Sequence, residues 1–488
     1  MRLWLRLALL VYMLGVLLYR DAVMDDTFIH LQYARNLRAN GEIAFNAGEP
    51  SFGMTSPLWV MMLAAAGHTD TIARLGSVAF GALSVWVFAL LAWRVLGGGA
   101  FAAAASVAWA GNVWLVRHAP NGMESTCALF LVLLAVELRG RRGRSTAREV
   151  AEGLLLAAAF LARPECALLV AVHAIADLPS AAGRGRLRHW LPAFAVVSAA
   201  WLAFAYSRTG SLWADTAAVK AAGPALARAV VVVWREVRIV GAAHAVEIVG
   251  CVAALVWSLR LEGWKALRAA GRHPLATPLA FAALLLLLYA VADVQVQPRY
   301  LLPILPFVTL AGFAAWKRTA GGGWRLAAAL TGACLVLSAL VSGLRVLPMT
   351  RDFSRALRPA LLDLVREVQS RSAPPVYVAT PDIGVVGYYG RVRVVDLGGL
   401  TNRGIQTLRR RVGYDEMLQS GAFLELGPVD YVIDRSLQPR RFDGHLSLDV
   451  RWRALRTTTL PNLGLGRVGP YYYTLYALET HDRATRAH

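Results

Sequence analysis

Charge is scarce in this chain. Only 17% of its 488 residues are Asp, Glu, Lys or Arg, while 57% are hydrophobic. With a mean hydropathy of +0.47, that balance excludes an ordinary soluble protein. Cysteine is nearly absent: Cys127, Cys166, Cys251 and Cys334 lie inside apolar runs without metal-ligand spacing, and read as small core hydrophobes. No His or carboxylate cluster has the spacing of a tight metal site. Gly97-Gly98-Gly99 and Gly321-Gly322-Gly323 neither follow a strand nor lead into Lys-Ser/Thr, which excludes a phosphate loop. No internal repeat marks the duplicated halves common in transporters.

What is present is a series of apolar runs near the ~20 residues that cross a bilayer, at 3–19, 73–93, 98–116, 123–138, 150–163, 164–178, 190–206, 243–260, 276–293, 299–316 and 325–345. They predict a mostly α polytopic membrane protein of about eleven spans. The first run lacks Ala-x-Ala-like cleavage chemistry and reads as an uncleaved anchor.

Arginine-rich loops orient the spans, because short Lys/Arg-rich loops stay cytoplasmic. Arg139, Arg141, Arg142, Arg144 and Arg148 form one such loop. Arg184, Arg186 and Arg188, then Arg260, Lys265, Arg268 and Arg272, then Lys317 and Arg318 fall on the same side. This alternation places the N-terminus in the cytoplasm. It puts residues 20–57, the Pro120 turn, a loop from Ser207 to Gly241 and the C-terminal tail outside. Much of the net charge of +20 is therefore topological and calls for no nucleic acid. The outer arginines of the tail suit anionic lipid or glycan.

From about residue 347 the composition changes. A helical period over Phe353 to Val368 precedes β-like runs at Val376 to Ala379, Val392 to Leu397 and Tyr431 to Ile433. The division is a membrane domain over 1–346 and a small outer α/β domain over 347–488. Nothing in the residues specifies an oligomeric state.

The first outer loop carries the densest signal. Asp25-Asp26 sits at the outlet of the first apolar run, where a carboxylate in the bilayer costs roughly 2.5–3.5 kcal/mol. Phe28, Ile29, Tyr33 and Leu37 then share one face of a helix expected to lie on the membrane surface. Turn formers and a segment too short to cross, Leu58 to Ala66, follow. Helix capping accounts for one Asp of the pair and not for both, and Asp26 is the better placed to cap a helix starting at Thr27.

The run DDTFIHLQYARNLRANGEIAFNAGEPSFGMTSPLW resembles the first outer loop of the GT-C superfamily of polyprenyl-phosphate-sugar-dependent glycosyltransferases, nearest to the bacterial arabinofuranosyltransferase group. The similarity continues collinearly through Gly122-Met123-Glu124, Ala162-Arg163-Pro164-Glu165, Ala214-Asp215-Thr216-Ala217-Ala218-Val219-Lys220, Pro298-Arg299-Tyr300-Leu301-Leu302-Pro303 and PDIGVVGYYGRVRVVDLGGLTN. Trp213-Ala214-Asp215-Thr216 and Cys166 depart from the pattern and bear on the donor sugar more than on the reaction class.

The resemblance implies a GT-C fold and an inverting transfer of a monosaccharide, arabinofuranose in the nearest group, from a lipid-phosphate donor to an outer-face glycan, lipid or protein. An acceptor hydroxyl needs a carboxylate to take its proton, worth about 10²–10⁴ in rate, and Asp25 and Asp26 are the candidates. The leaving phosphate needs cations, for which Lys220 and Arg299 stand first. Arg35, Glu124, Arg163 and Tyr300 are further candidates for the substrate site. Interfacial snorkelling, loop solvation and structural ion pairing are the ordinary roles of such residues. Hard oxygen ligands would suit Mg²⁺ or Mn²⁺ between Asp25 or Asp26 and the donor phosphate. The competing readings are a transporter or lipid-binding protein that couples ions or protons through the acidic pair, and an inactive scaffold of the same fold. The Pro381-Asp382-Ile383-Gly384 turn is expected to be a tight strand-to-helix connection.

Overall fold

The computed structural model describes every residue except 1, 142, 144, 213, 215–225, 263–272, 465–467 and 481–488. The apolar runs are helical: α1 (Arg2–Leu18), α4 (Asp70–Val95), α5 (Gly99–Ala110), α6 (Val113–His118), α7 (Ser125–Arg139), α8 (Thr146–Ala162), α9 (Ala167–Asp177), α10 (Ala181–Thr209), α11 (Leu226–Glu262), α12 (Ala276–Val291), α14 (Leu305–Ala320) and α15 (Trp324–Val341). Between them lie α2 (Asp25–Asn40), α3 (Pro57–Ala66) and α13 (Pro298–Leu301).

Among the described residues, four helical stretches are long and apolar enough to cross a membrane singly: α4, α10, α11 and the one that begins at Trp324. A fifth joins them if α5 and α6, bent by 40°, make one span. Several of the eleven expected spans are shorter, down to the 11 residues of α9. Leu14, Trp86, Val196, Val230, Trp257 and Leu340 expose their side chains on the helices, an apolar exterior that suits lipid. The expected outer loop from Ser207 to Gly241 is corrected, because α11 already begins at Leu226.

Ion pairs gather the arginine-rich loops at one end of the bundle. Arg139 bridges α7 to Glu152 of α8 and Asp177 of α9, both at 2.8 Å. Asp177 also accepts from Arg186 and from the indole N–H of Trp190 on α10. Arg94 at the end of α4 pairs with Glu137, and Lys317 of α14 donates to the Leu96 carbonyl. The opposite end carries α2, the turn around Gly122, the α8–α9 connection and α13.

A π-helical turn, Ser342–Val346, joins α15 without a break to α16 (Leu347–Arg371). The expected domain boundary therefore falls within a continuous helical segment. Beyond it lie β1 (Tyr377–Thr380), α17 (Ile383–Gly390), β2 (Arg393–Asp396), α18 (Arg403–Val412), α19 (Tyr414–Ser420), β3 (Tyr431–Ser436), β4 (Leu446–Ser447), β5 (Val450–Asn462) and β6 (Val468–Thr480). The sheet order is β2-β1-β3-β6-β5-β4. β1 pairs in parallel with β2 and β3, and the remaining pairs are antiparallel.

α2 is covered by protein, where an exposed surface helix was expected. Residues Thr27 to Ala34 are all buried, because α17 packs on α2 and seats Phe28 against Tyr388 and Tyr389, with ring centroids 5.9 and 5.5 Å away. Its buried amides are satisfied by the following loop: Gln32 donates to the Phe45 carbonyl, and Asn36 donates to those of Ala44 and Phe45. One hydrophobic core runs from the membrane helices through Phe28 into Leu361, Ile383 and Val386.

Candidate functional site

The site lies where α2, the α6–α7 turn, the α8–α9 connection, α13 and α17 meet. α2 begins at Asp25, with Met24 as its N-cap and no side-chain capping bond. The expectation that Asp26 caps a helix starting at Thr27 is therefore corrected. Both carboxylates lie in the first turn, near the positive end of the helix, and both are engaged by groups distant in sequence.

Asp26 Oδ2 accepts from Nη2 of Arg299 at 2.6 Å; the Arg299 side chain is 3% exposed and that of Asp26 35%. Pro298 at the first position of α13 starts the short helix that carries Arg299 and Tyr300. The Tyr300 ring meets two guanidiniums, with Arg299 5.3 Å and Arg163 5.0 Å from its centroid.

Arg163 is placed by the break that Pro164 imposes after α8. It pairs with Glu165 at 2.6 Å and with Glu124 at 2.9 Å, and Tyr289 donates to Glu165 at 2.9 Å. Glu124 precedes α7 and also stands 3.9 Å from His30. Arg117 and His118 extend the cluster: Arg117 donates to Thr350, and His118 bonds Asn121.

Asp25 turns the other way. Its Oδ2 accepts the backbone N–H of Gly384 at 2.7 Å and its Oδ1 that of Val385 at 2.9 Å. These are N-terminal donors of α17 that have no partner within the helix. Asp382 at the N-cap of α17 makes no capping bond; it takes Arg435 at 2.7 and 2.8 Å and the Tyr473 hydroxyl at 2.6 Å. Burial pushes the Asp25 carboxyl up to about 7. Asp382 and, less, Asp26 add to the rise, while the two backbone N–H groups oppose it. Asp382 in turn raises the pKa of Arg435.

Of the residues singled out in the sequence, Asp25, Asp26, Arg299, Tyr300, Arg163 and Glu124 are thus linked in one junction. Arg35 is not in it. Its guanidinium donates to the Tyr388 carbonyl at 2.9 Å and lies 5.3 Å from that residue's ring centroid, fastening α2 to α17. Lys220 lies outside the described residues. The sequence reading missed Tyr289, Arg435 and Tyr473, whose only signals are single polar residues inside apolar or strand-like runs, and named Asp382 only as part of a turn. The Pro381–Gly384 turn is a strand-to-helix connection, as expected, and it also reaches Asp25.

The fold is similar to that of solved membrane proteins. ArnT from Cupriavidus metallidurans in the apo state matches at 17% identity and a TM-score of 0.51, over 86% of this chain and 78% of that one. The same protein bound to undecaprenyl phosphate matches at 16% identity and 0.51, over 86% and 79%. The archaeal oligosaccharyltransferase AglB from Archaeoglobus fulgidus, in complex with an inhibitory peptide and a dolichol-phosphate, matches at 12% and 0.50, over 87% and 69%.

The chain has the GT-C fold.

Residues 354–476, within the C-terminal part of the chain, match a family described as a domain of unknown function, DUF8728. No curated protein matches the chain. α17 of the C-terminal domain covers the start of α2 and its acidic pair. Asp26 accepts from a guanidinium and Asp25 from two backbone N–H groups, and no three His, Cys, Asp or Glu side chains converge among the described residues.

Proposed function

We propose that this chain is an inverting glycosyltransferase. It moves a monosaccharide, arabinofuranose by resemblance, from a polyprenyl-phosphate donor to a hydroxyl of a glycan, lipid or protein at the outer face of a bacterial inner membrane. The observation that carries this reading is the pairing of Asp26 with buried Arg299 directly beside Asp25, whose carboxyl pKa is raised by burial. Two adjacent carboxylates in unlike environments suit unlike roles. The ligands named for the fold's neighbours, undecaprenyl phosphate in ArnT and dolichol-phosphate with an inhibitory peptide in AglB, agree with a lipid-phosphate donor and a separate acceptor.

In this mechanism Asp25 is the base. It accepts the acceptor hydroxyl's proton as the new C–O bond forms at the anomeric carbon, a contribution of about 10²–10⁴ in rate, or ~3–5 kcal/mol. The bond from that carbon to the phosphate oxygen breaks, and its electron pair leaves on the polyprenyl phosphate. Arg299 meets that growing charge as a fork-shaped donor, with its Nε unpartnered among the described residues. Asp26 orients Arg299, whose guanidinium, like that of Arg163, meets the Tyr300 ring. The resemblance adds Lys220 as a second phosphate ligand.

The test is transfer from radiolabelled decaprenyl-phosphate arabinofuranose by purified protein in nanodiscs. Asp25→Asn is expected to abolish transfer while donor binding survives, and Arg299→Ala to weaken donor binding. Transfer at the parent rate by Asp25→Asn would overturn the assignment.

A further inference from the structure

The C-terminal domain touches the acidic pair in a way that domain packing alone does not require. Phe28, Tyr388 and Tyr389 already seat α17 on α2 through apolar contact. Yet the end of α17 nearest Asp25 gives its first free N–H groups to that carboxylate and leaves its own N-cap, Asp382, to Arg435 and Tyr473. An Asp before a helix ordinarily satisfies such donors itself. Here the cap comes from a residue 359 positions earlier in the chain.

Gly384 makes the approach possible. A Cβ built on it would fall on the Asp25 carbonyl oxygen and 2.9 Å from its Cγ, so only glycine lets the α17 backbone come this close. Both oxygens of Asp25 are oriented at once, and a bidentate grip of this kind fixes the plane of a carboxylate.

We propose that the C-terminal domain completes the reaction centre: the first turn of α17 aims the Asp25 carboxylate, and the Arg435–Asp382–Tyr473 set behind it provides the field in which that carboxylate works. The proposal rests on Asp25 as the base. Gly384, Val385, Asp382, Arg435 and Tyr473 are positioning residues that touch no substrate. Among the described residues, the charged groups that bear on Asp25 are Asp26 on its own helix, held by Arg299, and Asp382 from the other domain, held by Arg435. On α4, which also packs on α2, Asp70 and Arg74 face each other at 4.0 Å, and α3 carries no charged residue. Lifting the domain would free the carboxylate to rotate, so docking of α17 and competence for proton transfer are one event.

Two measurements on the full chain in nanodiscs test this. Hydrogen exchange needs no substrate: Asp25→Asn should speed exchange of the Gly384 and Val385 amides about tenfold, one hydrogen bond's worth of protection, and Asp26→Asn should leave it unchanged. Equal protection in Asp25→Asn and parent overturns the proposal. The second is the pH profile of transfer from radiolabelled decaprenyl-phosphate arabinofuranose. Asp382→Asn removes the facing negative charge and should move the acid limb of kcat/KM down by about one pH unit, with donor KM within about twofold of the parent. An unmoved limb removes Asp382, Arg435 and Tyr473 from the proposal. Failure of the functional reading is seen separately, as parent-rate transfer by Asp25→Asn, and leaves the exchange result standing.

Discussion

Arg299 and Asp26, 273 positions apart in the chain, form a pair in which the cation is buried and the anion reaches solvent, at 3% and 35% side-chain exposure. The asymmetry means that the two residues depend on each other unequally. A partly exposed carboxylate can fall back on water; a buried guanidinium cannot.

Asp26→Ala should therefore destabilise the protein more than Arg299→Ala. Stranding the buried charge costs about 3–5 kcal/mol, and the reverse substitution leaves a carboxylate that water can solvate. Thermal unfolding of both variants in the same detergent checks the order, and equal shifts would contradict it.

Arg163 has two carboxylate partners, Glu124 and Glu165. Glu124→Gln keeps one ion pair and should be tolerated within about 1–2 kcal/mol. Arg163→Ala leaves the buried Glu124 and the largely covered Glu165 without their cation and should cost about 3–5 kcal/mol or abolish expression. The contrast in recovered folded protein is the measurement.

Gly387 on α17 lies against Phe45: a Cβ there would stand 2.5 Å from the ring's Cζ. Gly387→Ala should lower stability by about 1–3 kcal/mol through overpacking. Gly413, with φ of 85° and open space around a Cβ, should lose only the cost of the left-handed backbone, about 1–2 kcal/mol. Chemical unfolding of the two variants separates steric from conformational loss.

The raised pKa of Asp25 sets a sign for stability against pH. Between about pH 4 and 7 the folded state keeps a proton that the unfolded chain has released, so this group's contribution is present below the lower value and is lost as pH rises towards the upper. The slope is at most ~1.36 kcal/mol per pH unit. Asp25→Asn should flatten it, and an unchanged slope in that variant would remove Asp25 as its source.

Legibility varied with physical cause. The membrane helices were visible because a bilayer demands long apolar runs whatever their neighbours, and β1, β2 and β3 because buried strands read as short apolar runs. The long hairpin of β5 and β6 was not: β5 presents arginines and threonines along an exposed face, and its pairing is a non-local choice. α2 was legible as a helix but not as a buried one, since its polar residues are satisfied by a loop and a domain that its own periodicity does not encode.

The chain's own residues determined that it is a polytopic helical protein with an acidic pair at the mouth of its first apolar segment and a distinct mixed C-terminal region. Only the tertiary structure decided what each carboxylate does: Asp26 meets Arg299 and Asp25 meets the first turn of α17. Local sequence sets helix starts and apolar length through short-range sterics and solvent transfer. The partner of a carboxylate is settled by which distant elements the shared core, from Phe28 to Ile383 and Val386, brings within hydrogen-bond reach.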